Sequence, residues 1–488
     1  MRVNPILIFK PERRVKLLVA VFFISFVASR LYALGGGLNV LEPDEWDYQH
    51  IAGSLRNYSW PRWHGEVFLS KYPAFVFLGY GLGLAFPQLF RWGPYVNLRL
   101  IAVFSDAVFL VAMGLLLRRY HISKLLTVMT LLIGLFIPLH WFYSRTGTYE
   151  MWHMAFAAVS LLTFVKWREK PTQRNSVWMG ITLALAILAK HVNVLLLISY
   201  AALVFIKWRD FRRDLRLIIL SGASTIVTLI IGLLPLLYYR NQFYAQFFRL
   251  YEGFFVFQPR AFVAIWWEYF KLSPYWLSWP IVGLSLLGLV TLVKNYKRWP
   301  EIILLIVVEV MYLGSYYINA RSFVLVLLII MVLVGWGLER LQRSLRSACQ
   351  ITTVVVLLLS AMFLQGRIAF ESSLHISYEK ALETIRLIKK EKATYSIFDT
   401  IDPKKTAGSL PEYSVRLLNK EATRSAIVLA DELKTPLMLN LTEPEFRQAR
   451  ETFQIIRQKY SPQVIINDPW PHFPGSDKNN AYSIYVIN

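Results

Sequence analysis

Apolar stretches of about 18 residues or more recur along most of the chain, separated by short polar segments. An α-helix needs a run of this length to cross the hydrocarbon core of a bilayer. The pattern predicts a polytopic α-helical membrane protein with about eleven spans. The predicted spans are 15–34, 97–117, 124–143, 149–166, 176–191, 192–206, 215–238, 275–293, 301–318, 322–338 and 350–366.

A further apolar stretch, 72–90, fits either a span or a segment along the membrane surface, and its glycines and Pro87 make it a poor regular span. If it does not cross, the basic clusters and Arg2 all fall on one side, which then holds 23 of the 37 Lys and Arg residues in 1–370. Positive-inside asymmetry favours this arrangement, with the amino terminus in the cytoplasm and the carboxyl terminus outside. The clusters are Lys10–Lys16, Arg118–Lys124, Lys166–Arg174, Lys207–Arg216, Lys294–Arg298 and Arg340–Arg346.

Composition supports the membrane assignment: 56% of the 488 residues are hydrophobic and 17% are charged. The net charge of +22 comes almost entirely from residues 1–370, because the remainder has 16 Lys and Arg against 15 Asp and Glu. Since the basic residues lie in short clusters between apolar runs, they indicate cytoplasmic loops and not a nucleic-acid surface. One cysteine, Cys349, excludes a disulfide framework. The first apolar run is too long for a typical cleaved signal, so we expect a retained helix.

Three features share the predicted outer face: the loop 35–96, the loop 239–274 and the tail that follows the last span. We expect 1–370 to form the transmembrane domain and 371–488 to form a small extracytoplasmic α/β domain. The tail has balanced charge, an amphipathic stretch near 443–460 and short β-like runs. These runs are Tyr395–Phe398, Ala426–Leu429, Val464–Ile466 and Tyr482–Val486.

The first outer loop carries the acidic pair Asp44 and Glu45 directly after Pro43. Such a pair is a plausible helix start, since acidic groups there meet the positive end of the helix dipole. Its place just beyond a span, amid aromatic residues, favours a functional role instead. A carboxylate at a membrane interface can act as general base on an acceptor hydroxyl or amine.

Cationic residues are predicted on the same face as these acids. Lys71 lies where the chain returns to the membrane; it is a candidate for pairing with phosphate, and a lysine that reaches for lipid headgroups fits equally well. Glu150 begins a span, where an ionisable group costs about 2.5–3.5 kcal/mol on insertion scales, although Arg145 could simply neutralise it. The cations predicted to converge on the outer face are Lys71, Arg145, Lys190, Arg240, Arg260 and Arg321. A cationic outer cavity with a few acids suits an anionic lipid phosphate.

The outer loop 239–274 is rich in aromatic residues, Trp267 among them, and is expected to lie in the membrane interface. Gating of a lipid substrate and plain anchoring both fit it. No phosphate-binding glycine-rich loop, HExxH or Cys/His metal motif occurs in the sequence.

In the order and spacing of these motifs the chain resembles the GT-C glycosyltransferases, closest to the branch of the protein O-mannosyltransferases and the lipid A aminoarabinose transferases. The resemblance covers roughly residues 15–340. The residues that carry it are Pro43-Asp44-Glu45 with Tyr48 and Ala52, Lys71-Tyr72-Pro73, Asn97-Leu98-Arg99-Leu100, Ser144-Arg145 with Glu150, Gly180–Lys190, Trp266–Phe270 with Pro274–Trp276, and Ala320–Phe323.

The resemblance implies a GT-C fold and an enzyme of the cell envelope that uses a polyprenyl-phosphate sugar. It implies that Asp44 is the general base beside Glu45, that Lys71 contacts donor phosphate and that Arg321 assists. Glu150 stands where the family usually has Asp, and Lys71-Tyr72-Pro73 departs from the usual Lys-Pro pair. The complete predicted site has Asp44, Glu45 and Glu150 as catalytic residues, Lys71, Arg145, Lys190 and Arg321 at the donor phosphate, and Tyr48, Arg240, Arg260 and Trp267 along the substrate loops.

The expected activity is hexosyl or pentosyl transfer, for example by a mannosyltransferase, in the plasma or inner membrane. The acceptor is a protein, a lipid or a glycan, and no nucleic-acid partner is expected. No cofactor is needed if lysine and arginine supply the positive charge, although the acidic cluster could hold a divalent metal. A ligase or polymerase of lipid-linked glycans is the enzymatic alternative. A transporter or flippase is less favoured, because the sequence has no internal repeat.

Overall fold

The computed structural model describes residues 11–31, 34, 62–63, 66–67, 94–234, 259–315 and 323–344, together with four strands after residue 395. The helices are α1 Pro11–Leu31, α2 Pro94–Arg119, α3 Lys124–Leu135, α4 Pro138–Tyr143, α5 Glu150–Glu169, α6 Gln173–Ala189, α7 Val194–Ile206, α8 Trp208–Phe211, α9 Leu215–Leu233, α10 Pro259–Leu277, α11 Trp279–Lys294, α12 Pro300–Gly314 and α13 Val326–Ser344, with 3₁₀ turns at His191–Asn193 and Arg212–Asp214. A short antiparallel ladder pairs β1 Arg62–Trp63 with β2 Glu66–Val67.

The helices follow the predicted apolar runs closely, with two interruptions that hydropathy did not locate. The predicted span 124–143 is divided into α3 and α4, because Pro138 lacks the N–H that a continuous helix would need. The predicted span 275–293 starts later, at Trp279, and α10 occupies the second half of the predicted loop 239–274. Ser278 separates α10 from α11 with a φ of 72°, in the left-handed region.

The helices pack in pairs around one apolar core. The main contacts join α6 to α9, α11 to α13, α2 to α5, α5 to α6, α1 to α3 and α7 to α12. Several helices also present apolar side chains outward: on α9, Ile219, Ile226 and Ile231 are exposed, the last by 68%. A continuous exposed apolar face is typical of a helix that contacts lipid.

Two helices in the described part of the chain, Val96–Arg119 and Leu215–Leu233, are long and apolar enough to cross a membrane, and shorter apolar helices accompany them. Contacts between helix ends agree with the predicted alternation of the spans. Arg119 pairs with Glu169, and Arg168 pairs with Glu301. These ion pairs join the end of α2, the end of α5 and the start of α12, which lie at three of the segments predicted on the inner side. The predicted stretches 72–90, 350–366 and 443–460 lie outside the described residues.

Four strands follow the helical part: β3 Ser396–Asp399, β4 Ser425–Asp431, β5 Gln463–Pro469 and β6 Ala481–Ile487. They form one sheet in the order β3-β4-β6-β5, with β3 parallel to β4 and the other pairs antiparallel. These strands coincide with the four β-like runs of the sequence. The division into domains at residue 370 stays a prediction.

Glycine allows the closest helix contact. On α11, a Cβ added to Gly288 would come within 1.9 Å of the Leu333 carbonyl oxygen of α13. A Cβ added to Gly283, on the same helix, would meet nothing within 4 Å. Small residues let helix backbones approach in this way in membrane proteins.

We therefore expect Gly288→Ala to destabilise the protein by about 1–3 kcal/mol, because the new methyl group must push the two backbones apart. Gly283→Ala adds the same methyl group to the same helix without a clash and should leave stability unchanged or slightly higher. The measurement is the midpoint of thermal unfolding of both variants in detergent. Equal midpoints would show that α11 and α13 are not in this close contact.

Candidate functional site

The turn between α4 and α5 carries Arg145 and leads to Glu150, which contacts Lys190. Glu150 is fully buried at the start of α5, and Lys190 follows the last residue of α6. The Lys190 Nζ lies 3.4 Å from the Glu150 Oε1 and 5.0 Å from the centre of the Tyr149 ring. The structure thus brings together two of the predicted site residues, one expected in catalysis and one at the phosphate.

Arg145 is buried in the same turn, with its guanidinium carbon 4.8 Å from the centre of the Trp141 ring. Burial, together with the positive charges of Arg30 and Arg99, lowers the pKa of Arg145 to about 10. Arg145 is still charged at neutral pH. Three arginines from α1, α2 and this turn are therefore close enough to interact electrically.

Arg99 connects the start of α2 to the end of α1. Its Nη1 donates a hydrogen bond of 2.8 Å to the Leu34 carbonyl oxygen, just beyond α1. Leu34 directly precedes the predicted first outer loop. Arg99 therefore binds the chain just before the loop that carries Asp44.

A second charged cluster lies within the helices and was not predicted from the sequence. The Arg30 Nε donates to the Asp106 Oδ2 at 2.7 Å, and the His140 Nε2 lies 2.6 Å from the Asp106 Oδ1. All three side chains are buried. An acidic residue inside the apolar run of α2 was the available signal, since such residues are rare in spans and are usually paired.

His153 and Asn193 extend the polar region below Glu150. His153 lies one turn along α5 from Glu150 and is buried close to Lys190 and His191. The Asn193 side-chain amide donates a hydrogen bond of 2.8 Å to the Ala186 carbonyl oxygen. Neither residue was predicted from the sequence, because neither belongs to a recognisable motif.

Trp267 is on α10 and is 58% exposed, stacked at 5.7 Å between ring centroids on Phe270. It is thus on an outward-facing aromatic surface and not in the buried cluster. Several other predicted site residues lie outside the described residues: Asp44, Glu45, Tyr48, Lys71, Arg240 and Arg321. The side chain of Arg260 is also outside them.

Among the described residues, no group of three or more His, Cys, Asp and Glu side chains could hold a metal ion. Since Asp44 and Glu45 are outside that set, the expectation that no metal is needed stays untested. The described arrangement offers the buried Arg145 and Glu150 in and directly after the turn before α5, and the partly buried Lys190 directly after α6, which suits binding of an anionic group.

Comparison with known proteins shows what the chain is similar to. The family model described as dolichyl-phosphate-mannose-protein mannosyltransferase matches residues 65–251. That range covers less than half of the chain, and it contains Lys71, Arg145, Glu150 and Lys190. Comparison with curated protein sequences gave no match.

The fold matches that of solved membrane enzymes along nearly the whole chain. ArnT from Cupriavidus metallidurans bound to undecaprenyl phosphate aligns with a TM-score of 0.59 at 13% identity, covering 98% of each chain. Its apo structure aligns with a TM-score of 0.58. The oligosaccharyltransferase of Archaeoglobus fulgidus aligns with a TM-score of 0.56 at 14% identity, covering 82% of this chain and 62% of that one.

The chain therefore has the GT-C fold of multi-pass membrane glycosyltransferases. The resemblance to the branch of the O-mannosyltransferases and ArnT, expected from the sequence, is confirmed.

Proposed function

We propose that this protein transfers a sugar from a polyprenyl-phosphate-linked donor to an acceptor on the outer face of the membrane. The observation that carries the proposal is the ion pair of buried Glu150 with the partly buried Lys190, beside the turn that holds the buried Arg145, inside the segment that the mannosyltransferase family model matches. ArnT, whose fold aligns along 98% of this chain, was solved with undecaprenyl phosphate bound. Polyprenyl-phosphate chemistry is consistent with both.

In the proposed reaction, Asp44 removes the proton of an acceptor hydroxyl or amine. The acceptor atom forms a bond to the anomeric carbon of the sugar while the bond from that carbon to the phosphate oxygen breaks, with inversion. The lipid phosphate leaves with the electron pair and is stabilised by cations: Lys71 and Arg321 by resemblance, with Arg145 and Lys190 nearby. Preorganised charge of this kind is usually the largest contribution to catalysis of such a step.

The basic clusters support the proposed outer-face orientation. Glu150 and Lys190 lie at the helix ends opposite to Arg119 and Glu169, and the latter belong to the basic segments expected in the cytoplasm. In this proposal the site and the tail lie on the extracytoplasmic side.

The decisive experiment incubates the purified protein in detergent with radiolabelled polyprenyl-phosphate sugars and a membrane extract. Covalent label on a protein, lipid or glycan supports the proposal and identifies the acceptor class. Transfer from a polyprenyl-diphosphate glycan instead would favour the ligase or polymerase alternative. Label that crosses a vesicle membrane without any new covalent bond would favour a transporter.

We further expect the reaction to proceed without an added metal, because lysine and arginine side chains supply positive charge at the proposed phosphate site. Treatment with EDTA, followed by removal of the chelator, should leave the transfer rate unchanged. A loss of activity that Mg²⁺, Mn²⁺ or Zn²⁺ restores would contradict this and would direct attention to a metal held by the acidic first loop.

A further inference from the structure

The cluster of Arg30, Asp106 and His140 joins three helices inside the bundle. Arg30 comes from the last turn of α1, Asp106 from the middle of α2 and His140 from α4, and the three side chains are buried. The Asp106 Oδ2 accepts from Arg30 Nε at 2.7 Å, and the Asp106 Oδ1 shares a hydrogen bond of 2.6 Å with His140 Nε2. Within the described part of the chain, no second acid hydrogen-bonds to any of the three.

The hydrogen bonds of His140 determine how many protons the cluster holds. The His140 Nδ1 lies 2.7 Å from the Gly134 carbonyl oxygen, so Nδ1 must carry a proton, since a carbonyl oxygen can only accept. A proton must also lie between Nε2 and the Asp106 Oδ1, because two acceptors at that distance would repel. Wherever this second proton is, Asp106 and His140 together are neutral.

Arg30 then gives the cluster a net charge of +1. Its Nη1 donates a hydrogen bond of 3.0 Å to the Leu135 carbonyl oxygen. Its Nη2, in contrast, is buried with no hydrogen-bond partner among the described residues. A buried positive charge with a free donor is costly unless a negative group compensates it. The cluster therefore favours an anion nearby.

The position of the cluster indicates which anion it favours. α1 leads from Arg30 into the first outer loop, and α4 leads from His140 into the turn with Arg145. The charge of Arg30 is one of the causes that lower the pKa of Arg145. The cluster is thus in electrostatic range of the proposed donor-phosphate site.

We propose that the Arg30–Asp106–His140 cluster is a fixed positive charge below the outer site, which strengthens binding of the anionic lipid phosphate. The three side chains act at a distance and so are positioning residues. This inference rests on the proposed function. The competing role is structural, because Arg30 and His140 also satisfy carbonyl groups at the break between α3 and α4.

Variants in which the net charge and the number of lost contacts change in different orders separate the two roles. His140→Gln and Arg30→Gln each bring the net charge to zero, and in each the carboxylate keeps one cationic partner. The double variant Asp106→Asn with His140→Gln returns it to +1 while disturbing more of the cluster. Long-range charge at an intermediate dielectric predicts a donor KM about three- to tenfold higher in the two neutral variants. We expect wild-type KM in the double variant, with kcat changed little in all three.

A structural role predicts the opposite order, because the double variant removes more native contacts than either single variant. A double variant impaired as much as His140→Gln, or more, would overturn the proposal. Thermal unfolding in detergent records the stability of each variant, and Arg30→Gln provides the comparison if His140→Gln does not fold. Binding of unlabelled polyprenyl phosphate to the same set, measured directly, should follow the same charge order. If the affinities of wild type and the three variants for this lipid follow that order, but wild type transfers no sugar, the proposed function fails and the charge proposal stands.

Discussion

Replacement of Asp44 by asparagine is expected to lower kcat for sugar transfer by about 10²- to 10⁴-fold, the usual contribution of a general base. An amide of the same size keeps hydrogen bonding but cannot accept the proton of the acceptor. The donor KM should change little, because the carboxylate acts on the acceptor and not on the lipid phosphate. The measurement is steady-state transfer from a radiolabelled polyprenyl-phosphate sugar.

The matched control for Asp44 is Asp47→Asn, which removes the same charge three residues further along the same loop. It should retain most of the activity. Glu45→Gln tests the neighbouring acid and should have an intermediate effect. Transfer by Asp44→Asn at the wild-type rate would refute the assignment of the base. Equal losses in the Asp44 and Asp47 variants would indicate a general effect of negative charge in the loop.

Glu150→Gln and Lys190→Met are each expected to reduce kcat/KM by about 10- to 100-fold, since each leaves the other charge in a poorly solvated place without its partner. The Glu150 side chain is fully buried and the Lys190 side chain is 13% exposed. If the pair acts as a unit, the double variant should be about as active as the worse single variant.

An exposed ion pair provides the control for this cycle. Arg343 and Glu339 are 2.6 Å apart on α13, with 77% of the arginine side chain exposed. Such pairs contribute about 0–1 kcal/mol, so Glu339→Gln should leave activity unchanged. Multiplicative losses in the Glu150–Lys190 cycle would mean that the two residues serve separate steps, as the sequence alone had suggested.

The sequence predicted the positions of the helices well, because the length of an apolar run is a direct requirement of the bilayer. It did not locate the interruptions near Pro138 and Ser278. Each interruption lies within or beside an apolar run. The loss of one or two backbone hydrogen bonds does not change the average hydropathy of that run, so hydropathy cannot reveal the interruption. A proline inside a predicted span was the signal for the first interruption.

The contacts between side chains were harder to predict from the sequence than the positions of the helices. Lys190 was expected among the cations at the donor phosphate, yet its contact with Glu150 joins residues 40 apart in sequence. The Arg30–Asp106 contact spans 76 residues. Such pairs depend on how helices rotate and pack, and one sequence contains no direct record of that. Asp106 was still identifiable in principle as an acid in an apolar segment.

The acid in the middle of α2 also has a consequence for the order in which the chain is made. An aspartate at the centre of a nascent span costs about 2.5–3.5 kcal/mol during insertion by the translocon. Arg30 has already been synthesised when α2 emerges, whereas His140 is 34 residues later than Asp106. The first ion pair can therefore form before His140 reaches the membrane, and the histidine joins it afterwards. Membrane biogenesis of this protein should accordingly be more sensitive to loss of Arg30 than of His140, as insertion assays on truncated nascent chains would measure.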